Sequence, residues 1–204
     1  MPDNRKNVRD YYNKTAAQWA EKWYADESSL PLLKDFLSIL PPQPRILDLC
    51  CGAGYESMRL ARLGAQVIGL DLSEESIAIA RERNPGLSFF VDNMLSDYSY
   101  IGPVDAIVCI AGLVHLPVEQ LRPAFERMNV ILRLGGRLLF VVRDGTGRQA
   151  QSSDVIIDGE SYDRAFFAHT LEELQKESEG IFSFEKELPD PEPSLWRNYV
   201  FEKG

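Results

Sequence analysis

Cysteine is scarce in this chain: three residues, with Cys50 and Cys51 adjacent and Cys109 distant. So few thiols at such spacing make neither a disulfide framework nor a zinc ligand set, and no metal site is expected. The expected compartment is the reducing cytoplasm. No apolar run reaches the roughly eighteen residues that a membrane span needs. The opening residues, Met1-Pro2-Asp3-Asn4-Arg5-Lys6, are polar with no apolar segment behind them, unlike a secretory leader. Basic charge is also in short supply: 22 Lys and Arg face 31 Asp and Glu, a net charge of −9. Such a surface repels phosphate backbones, which argues against a nucleic-acid partner. Neither a fixed-period repeat nor a low-complexity tract interrupts the chain.

What remains is a globular composition, 45% hydrophobic and 26% charged over 204 residues, enough for one domain with a sizeable core. Val8, Tyr11, Tyr12, Thr15, Ala16, Trp19, Ala20 and Trp23 recur at helical steps and predict a first amphipathic helix. A second helix follows Pro31 and ends before Pro41-Pro42-Gln43-Pro44. Strands and helices then alternate. Strands are expected at 45–49, 66–70, 87–91, 104–110 and 137–142. The helices between them run over 54–63, 74–83 (capped by Ser73) and 117–133, the last with a break at Pro123 and closed by Gly135-Gly136. Residues 143–169 read as one long irregular loop, then a helix over 171–178. Two final strands, 181–188 and 195–202, flank Pro189-Asp190-Pro191-Glu192-Pro193 and should pair antiparallel. The expected fold is α/β: a doubly wound, Rossmann-like, seven-stranded and mostly parallel sheet with an antiparallel C-terminal strand and helices on both faces.

The alternation is organised around residues 45–57, Arg-Ile-Leu-Asp-Leu-Cys-Cys-Gly-Ala-Gly-Tyr-Glu-Ser. They read as a strand, a tight glycine turn and a helix start whose free N–H groups can meet a ligand. Gly52-x-Gly54-x-x-Ser57 nearly fits a dinucleotide fingerprint. Asp48 at the strand end would repel a diphosphate and attract a cationic ligand. Asp71 lies 23 residues after Asp48 at the next strand end, where a carboxylate can accept both ribose hydroxyls. Asp92 ends the third strand. Three acids thus fall on the carboxyl edge of one sheet, where ligands of wound sheets bind.

The order apolar strand, Asp, x, small, x, Gly, x, Gly resembles the first motif of class I S-adenosylmethionine-dependent methyltransferases. Cys50 stands where that family usually has glycine; cysteine fits the turn if its φ is negative, and a positive φ there counts against the assignment. The resemblance implies S-adenosylmethionine as cofactor and S-adenosylhomocysteine as product. It implies a turn of Asp48, Cys50, Cys51, Gly52 and Gly54 around the cofactor. Asp71 would hold the ribose, and Leu72 would pack on the adenine. Asp92, Asn93 and Met94 would read and cover the adenine edge. Ile110 and Ala111 would offer backbone groups to the methionine part. The stretch Ile110-Ala111-Gly112-Leu113-Val114-His115-Leu116 resembles a family pattern with His at the active-site mouth, so His115 is the candidate catalytic residue, orienting substrate or accepting a proton. An Asn/Asp-Pro-Pro-aromatic motif of DNA amine methyltransferases is absent. Tyr12-x-x-x-Ala16-x-x-Trp19 resembles the helical lid of small-molecule members, so Tyr12 and Trp19 become cofactor contacts, and Trp23 is assigned to packing. Arg143, Tyr162 and Arg164 are candidate substrate residues, with an arginine suited to an anion. His169 reads as a residue of a solvated loop.

The expected organisation is a lid over 1–44, a cofactor core over 45–142, and a substrate loop with C-terminal strands over 143–204. The expected partner is a small-molecule methyl acceptor, with no membrane contact and a monomer or homodimer as the assembly. Three other readings stay open at this point. They are a nicotinamide-dependent oxidoreductase on a related sheet, a tRNA methyltransferase, and a binding module that holds the cofactor without catalysis.

Overall fold

Apolar and β-branched runs bounded by turn residues form the strands, and apolar positions three and four apart form the helices. A computed structural model describes residues 5–190 and 194–204, with side chains from residue 7 onward. The first half comprises α1 (Arg5–Ala25), α2 (Leu30–Leu37), β1 (Arg45–Leu49), α3 (Tyr55–Arg62), β2 (Gln66–Asp71), α4 (Glu74–Arg83) and β3 (Ser88–Val91). Then come β4 (Val104–Ile110), α5 (Leu121–Ile131) and β5 (Leu132–Arg143). A smaller group follows: β6 (Gly147–Arg148), α6 (Ala150–Ser153), β7 (Asp154–Ile157), β8 (Glu160–Asp163) and β9 (Phe167–Ala168). The chain closes with α7 (Leu171–Glu177), β10 (Ser183–Leu188) and β11 (Trp196–Glu202).

Seven strands make one sheet in the order β10-β11-β5-β4-β1-β2-β3. β1 to β5 pair parallel, and β11 runs antiparallel to both β5 and β10. The sheet is the expected one. Strand order reverses direction at β1, whose neighbours are β2 on one side and β4 on the other, so the crevice beyond their carboxyl ends is the place for a ligand.

Alternate side chains of each strand feed two core layers. Leu47, Leu49, Ile107, Cys109, Phe140 and Phe201 pack with Phe125 of α5 on one face. Ile46, Val67, Ala106, Val108 and Leu139 pack with Leu33 and Phe36 of α2 and Leu60 of α3 on the other. Phe125 stacks on Phe140 with ring centres 5.4 Å apart. No helix among the described residues is long and apolar enough to cross a membrane.

The structure departs from the sequence reading in several places. Pro123 does not break α5. It sits in the first turn, where a missing N–H costs no intrahelical bond. Gly135 and Gly136 do not end a helix. They lie inside β5, which begins at Leu132 opposite Val104 and resumes at Arg137 opposite Ala106. The extra residues form a bulge, with Gly135 at a φ of 70°. The predicted loop over 143–169 is instead two small ribbons, β6 with β9 and β7 with β8, joined by the single turn of α6. The part of the proline-rich turn at 191–193 lies outside the described residues.

Candidate functional site

β1 ends in the glycine turn, and β2 holds that turn in place. The N–H groups of Cys50 and Cys51 donate to the carbonyl of Leu70, at 2.7 and 3.1 Å. Cys50 has a φ of 65°, the positive value that counts against the motif assignment at this position. The turn therefore demands a left-handed residue at this position, which is why glycine is preferred there. A side chain in that conformation costs about 1–2 kcal/mol. The Cys50 thiol packs beside Cys109. A hydrogen bond with the Cys109 thiol, followed by burial, raises the Cys50 thiol above its ordinary range. Truncation separates backbone strain from packing. Cys50→Gly is expected to be about 1 kcal/mol more stable than Cys50→Ala in urea unfolding, and equal stabilities would show that the turn tolerates Cβ freely. Gly54, with a φ of 83°, opens α3. A Cβ on it would lie 3.0 Å from Ala80 Cβ and Phe89 Cζ, so glycine lets α3 close onto α4 and β3.

Asp48 does not reach the ligand side of the turn. It is 2% exposed, and its carboxyl accepts the hydroxyl of Ser57 at 2.5 Å. It ties the end of β1 to the first turn of α3 from beneath. Cys51 is likewise buried among Ile77, Ala80 and Phe89, with its back to the crevice. Sequence order places both residues in the motif, but strand alternation turns Asp48 away from the crevice and the turn beyond β1 directs Cys51 toward α4 and β3.

The next two strand ends point outward. Asp71 Oδ2 accepts the N–H of Gly52 at 2.8 Å, and Oδ1 accepts the N–H of Ser73 at 2.9 Å. Burial raises its carboxyl above the usual range, and the two backbone donors oppose that rise. The carboxylate is thus fixed in plane with lone pairs left over on both oxygens. Asp92 Oδ1 accepts the N–H of Asn93 at 2.7 Å, and Oδ2 accepts the hydroxyl of Tyr100 at 2.8 Å. Asn93 Oδ1 in turn accepts the N–H of Leu95 at 2.9 Å.

A cavity of about 1380 Å³ opens over this edge. Its wall holds Cys50, Gly52, Asp71, Leu72, Asp92, Asn93, Met94, Ile110 and Ala111 from the sheet side. Tyr12, Trp19 and Trp23 reach it from α1, and His115, Arg143 and Arg164 from the far side. Asp48, Cys51, Gly54 and Tyr162 are the predicted site residues it leaves out. Tyr162 instead donates its hydroxyl to Glu160 at 2.8 Å and sets its ring edge against Tyr11. Trp23, expected to pack on the sheet, stacks with Trp19 at 6.3 Å on the cavity wall, with the Lys22 ammonium over both rings. His169 is 1% exposed, not solvated, and bonds through Nε2 to the Leu113 carbonyl at 3.1 Å.

His115 has both ring nitrogens engaged. Nδ1 lies 2.9 Å from the Arg164 carbonyl and 3.1 Å from that of Ala165. Carbonyls only accept, so Nδ1 carries the proton. Nε2 then accepts the Tyr12 hydroxyl at 2.9 Å. Burial holds that phenol well above its ordinary range, so it stays a donor. His115 thereby fastens α1 to the ribbons rather than offering a free lone pair to a substrate. Asn13 makes a second tie, accepting the Ser73 hydroxyl at 2.7 Å and donating to Glu74 at 2.9 Å. Arg59 makes a third from α3, donating to the carbonyls of Trp23 and Asp26 at the end of α1. Sequence reasoning missed Asn13, Phe166, Trp196 and Asn198. The only local signal was an isolated polar or aromatic residue in each case.

Asp48 and His115 titrate in opposite senses. Burial pushes the Asp48 carboxyl up to about 7 against the Ser57 bond. Folding takes up a proton there, so this stability is present at low pH and lost as pH rises through about 7. Burial pushes His115 down to about 4 against its bonds to the Ala165 and Arg164 carbonyls. Folding excludes that proton, so this stability is present above the unfolded pKa of about 6.5 and lost as pH falls toward 4. Between about pH 4.5 and 6.5 the two slopes oppose each other, each at most about 1.4 kcal/mol per pH unit. Asp48→Asn should therefore unmask a stability that climbs with pH across this window by on the order of 1 kcal/mol per unit. Urea midpoints at stepped pH measure it, and parallel profiles for the two proteins would reject the linkage.

Residues 46–136 match the family model of a methyltransferase domain. That match runs from β1 into the start of β5. Among relatives of this domain, ubiquinone biosynthesis O-methyltransferase of Xanthomonas campestris is 32% identical over 121 residues, 53% of this chain and 49% of the relative. The chain spans about half the length of the curated relatives it matches. The structure of magnesium protoporphyrin IX methyltransferase from Synechocystis PCC 6803, with bound S-adenosylmethionine, superposes on this chain with a TM-score of 0.76. That match has 19% identity over 100% of this chain and 99% of the other. The complex of DhpI with S-adenosylhomocysteine gives 0.80 at 20% identity, covering 98% and 97%. These two likenesses describe the fold.

Proposed function

We propose that the domain transfers a methyl group from S-adenosylmethionine to a small-molecule acceptor. The observation that carries the reading is the pair Asp71 and Asp92, at adjacent strand ends, opening on one cavity with the turn of Gly52. The donor set fits the cofactor. Asp71 presents two oriented carboxylate oxygens to a vicinal diol, and Asp92 with Asn93 presents acceptors and a donor to a purine edge. Leu72 and Met94 supply apolar surface for the ring, with the Met94 thioether suited to an aromatic face. Ile110 and Ala111 close the cavity at the end of β4, Ala111 with a φ of 54° and its N–H donated to the Val141 carbonyl at 2.9 Å.

The bound cofactor supplies an electrophilic methyl on a sulfonium. The protein's share is alignment and exclusion of water. The lid is α1, which crosses the cavity, held by Tyr12 and Asn13, and lays Trp19 and Trp23 along it, while α2 packs into the core. Residues 143–169 form the opposite wall, where the acceptor sits. His115 works as a positioning residue through Tyr12.

Calorimetric titration with S-adenosylhomocysteine and with NADH tests the reading. Binding of S-adenosylhomocysteine at micromolar strength, with none of NADH, is expected. Preference for NADH would overturn it. A mobility shift with tRNA that weakens with salt would move the acceptor class from small molecules to RNA.

A further inference from the structure

The far wall of the cavity has a chemistry of its own. Four aromatic rings run across it in edge-to-face contact. Tyr12 meets His115 at 5.3 Å, His115 meets Phe166 at 6.0 Å, and Phe166 meets Trp196 at 6.1 Å. All four line the cavity. Beside the last ring, Trp196 pairs with Arg143 across β11 and β5, so the two side chains share one face of the sheet.

Arg143 differs from the other cations on this wall. Arg148 is paired with Asp154 and Asp163, at 2.8 and 2.9 Å. Arg164 donates to the Ser152 carbonyl and lies over Tyr11 and Phe166. Arg9 faces Asp10 and Glu74, and Lys22 lies over two indoles. Among the described residues, no hydrogen bond or ion pair engages the Arg143 guanidinium. Its neighbour Asp144 is turned to Arg197 at 3.8 Å. A half-buried guanidinium beside a cavity, with five donors and no acceptor, is a built receptor for a planar anion.

We propose that Arg143 holds a carboxylate on a flat, conjugated acceptor that lies along the Phe166–Trp196 wall. The proposal rests on the methyltransferase reading, since it names the acceptor of that site. Position separates this anion from the cofactor's own amino-acid carboxylate. The methionine part belongs beside Ile110 and Ala111 at the end of β4, whereas Arg143 ends β5, one strand further out and opposite Trp196 of β11. Asn198, opposite Val141 and 5% exposed, borders the same patch and adds a polar group beside the guanidinium.

The test uses the full chain saturated with S-adenosylhomocysteine, titrated with benzoate, naphthoate and cinnamate and with their carboxamides. At least one acid should bind about tenfold or more tighter than its amide, the worth of a charged hydrogen-bond pair. It should quench tryptophan emission as it meets Trp196. Arg143→Gln should abolish the difference, Arg143→Lys should keep part of it, and affinity for S-adenosylhomocysteine should not change in either. Acids binding no tighter than their amides, or a preference that survives in Arg143→Gln, would overturn the proposal. So would a loss of S-adenosylhomocysteine affinity in Arg143→Gln, which would assign the arginine to the cofactor. Failure of the wild-type chain to bind S-adenosylhomocysteine strikes the methyltransferase reading instead, so the two failures are distinct.

Discussion

Asp71→Ala is expected to weaken S-adenosylhomocysteine binding by about 2–4 kcal/mol, a factor of roughly 30 to 1,000. The carboxylate is preorganised by the Gly52 and Ser73 N–H groups, so the loss covers one or two charged hydrogen bonds to the ribose. Asp71→Asn should be nearly as damaging. One of its two positions would carry an NH₂ group facing a backbone N–H, which forces the amide to rotate or the turn to shift. Calorimetry on both variants decides the matter. Affinity unchanged from wild type would refute the ribose assignment and leave Asp71 a helix-initiating residue of the turn before α4. A thermal scan without ligand guards against misreading a folding defect as a binding defect.

Arg59→Met is expected to cost about 3–5 kcal/mol of stability, the price of leaving a buried carboxylate unpaired. Arg59 is 3% exposed and lies 3.2 Å from the carboxylate of Glu56, itself 6% exposed. Glu56 also accepts the Ser29 hydroxyl at 2.9 Å. For a chain of this size the corresponding fall in melting temperature is about 6–20 °C. Glu56→Leu combined with Arg59→Met should recover part of the loss, because the uncompensated charge is gone while the carbonyls of Trp23 and Asp26 stay unpartnered. A double variant no better than the single one would mean that Arg59 acts mainly on those carbonyls at the end of α1.

The sheet was legible because its signals are local. Val104–Ile110 is a continuous apolar run of strand length, and Ser73 followed by Glu74 and Glu75 marks a helix start that the structure reproduces, with the Ser73 hydroxyl accepting the Ser76 N–H. Asp71 and Asp92 were legible as site candidates since strand ends in a wound sheet share one edge. Asp48 was misplaced because its role depends on which way alternation turns it, and one residue decides that. Residues 143–169 looked like a loop because β7 and β8 are short and edge-exposed, with Ile156 exposed and Gly159 at their turn. Ribbons that small are set by their contacts with α1, not by their own pattern. Trp196 and Phe166 gave no signal. They are 30 residues apart in sequence, and they meet because β11 pairs with β5 and the His169 N–H ties the segment around β9 to the Arg143 carbonyl. Cys50 was legible as a departure, but its positive φ follows from bonds to Leu70 that no sequence pattern states.

The hydrogen bond from Tyr12 to His115 joins residues 103 apart and holds two separate covers, the helix and the ribbon wall, on one latch. The two covers also touch directly: the Tyr11 hydroxyl accepts from Arg164 at 3.5 Å and Lys14 pairs with Asp158 at 2.9 Å, so a displacement of α1 pulls on the ribbons. Such coupling dictates the traffic of molecules. Whatever lies deepest, against the strand ends, has to arrive first and depart last. Steady-state kinetics of this domain should therefore follow a compulsory sequence of arrivals and departures, with one opening event per catalytic cycle.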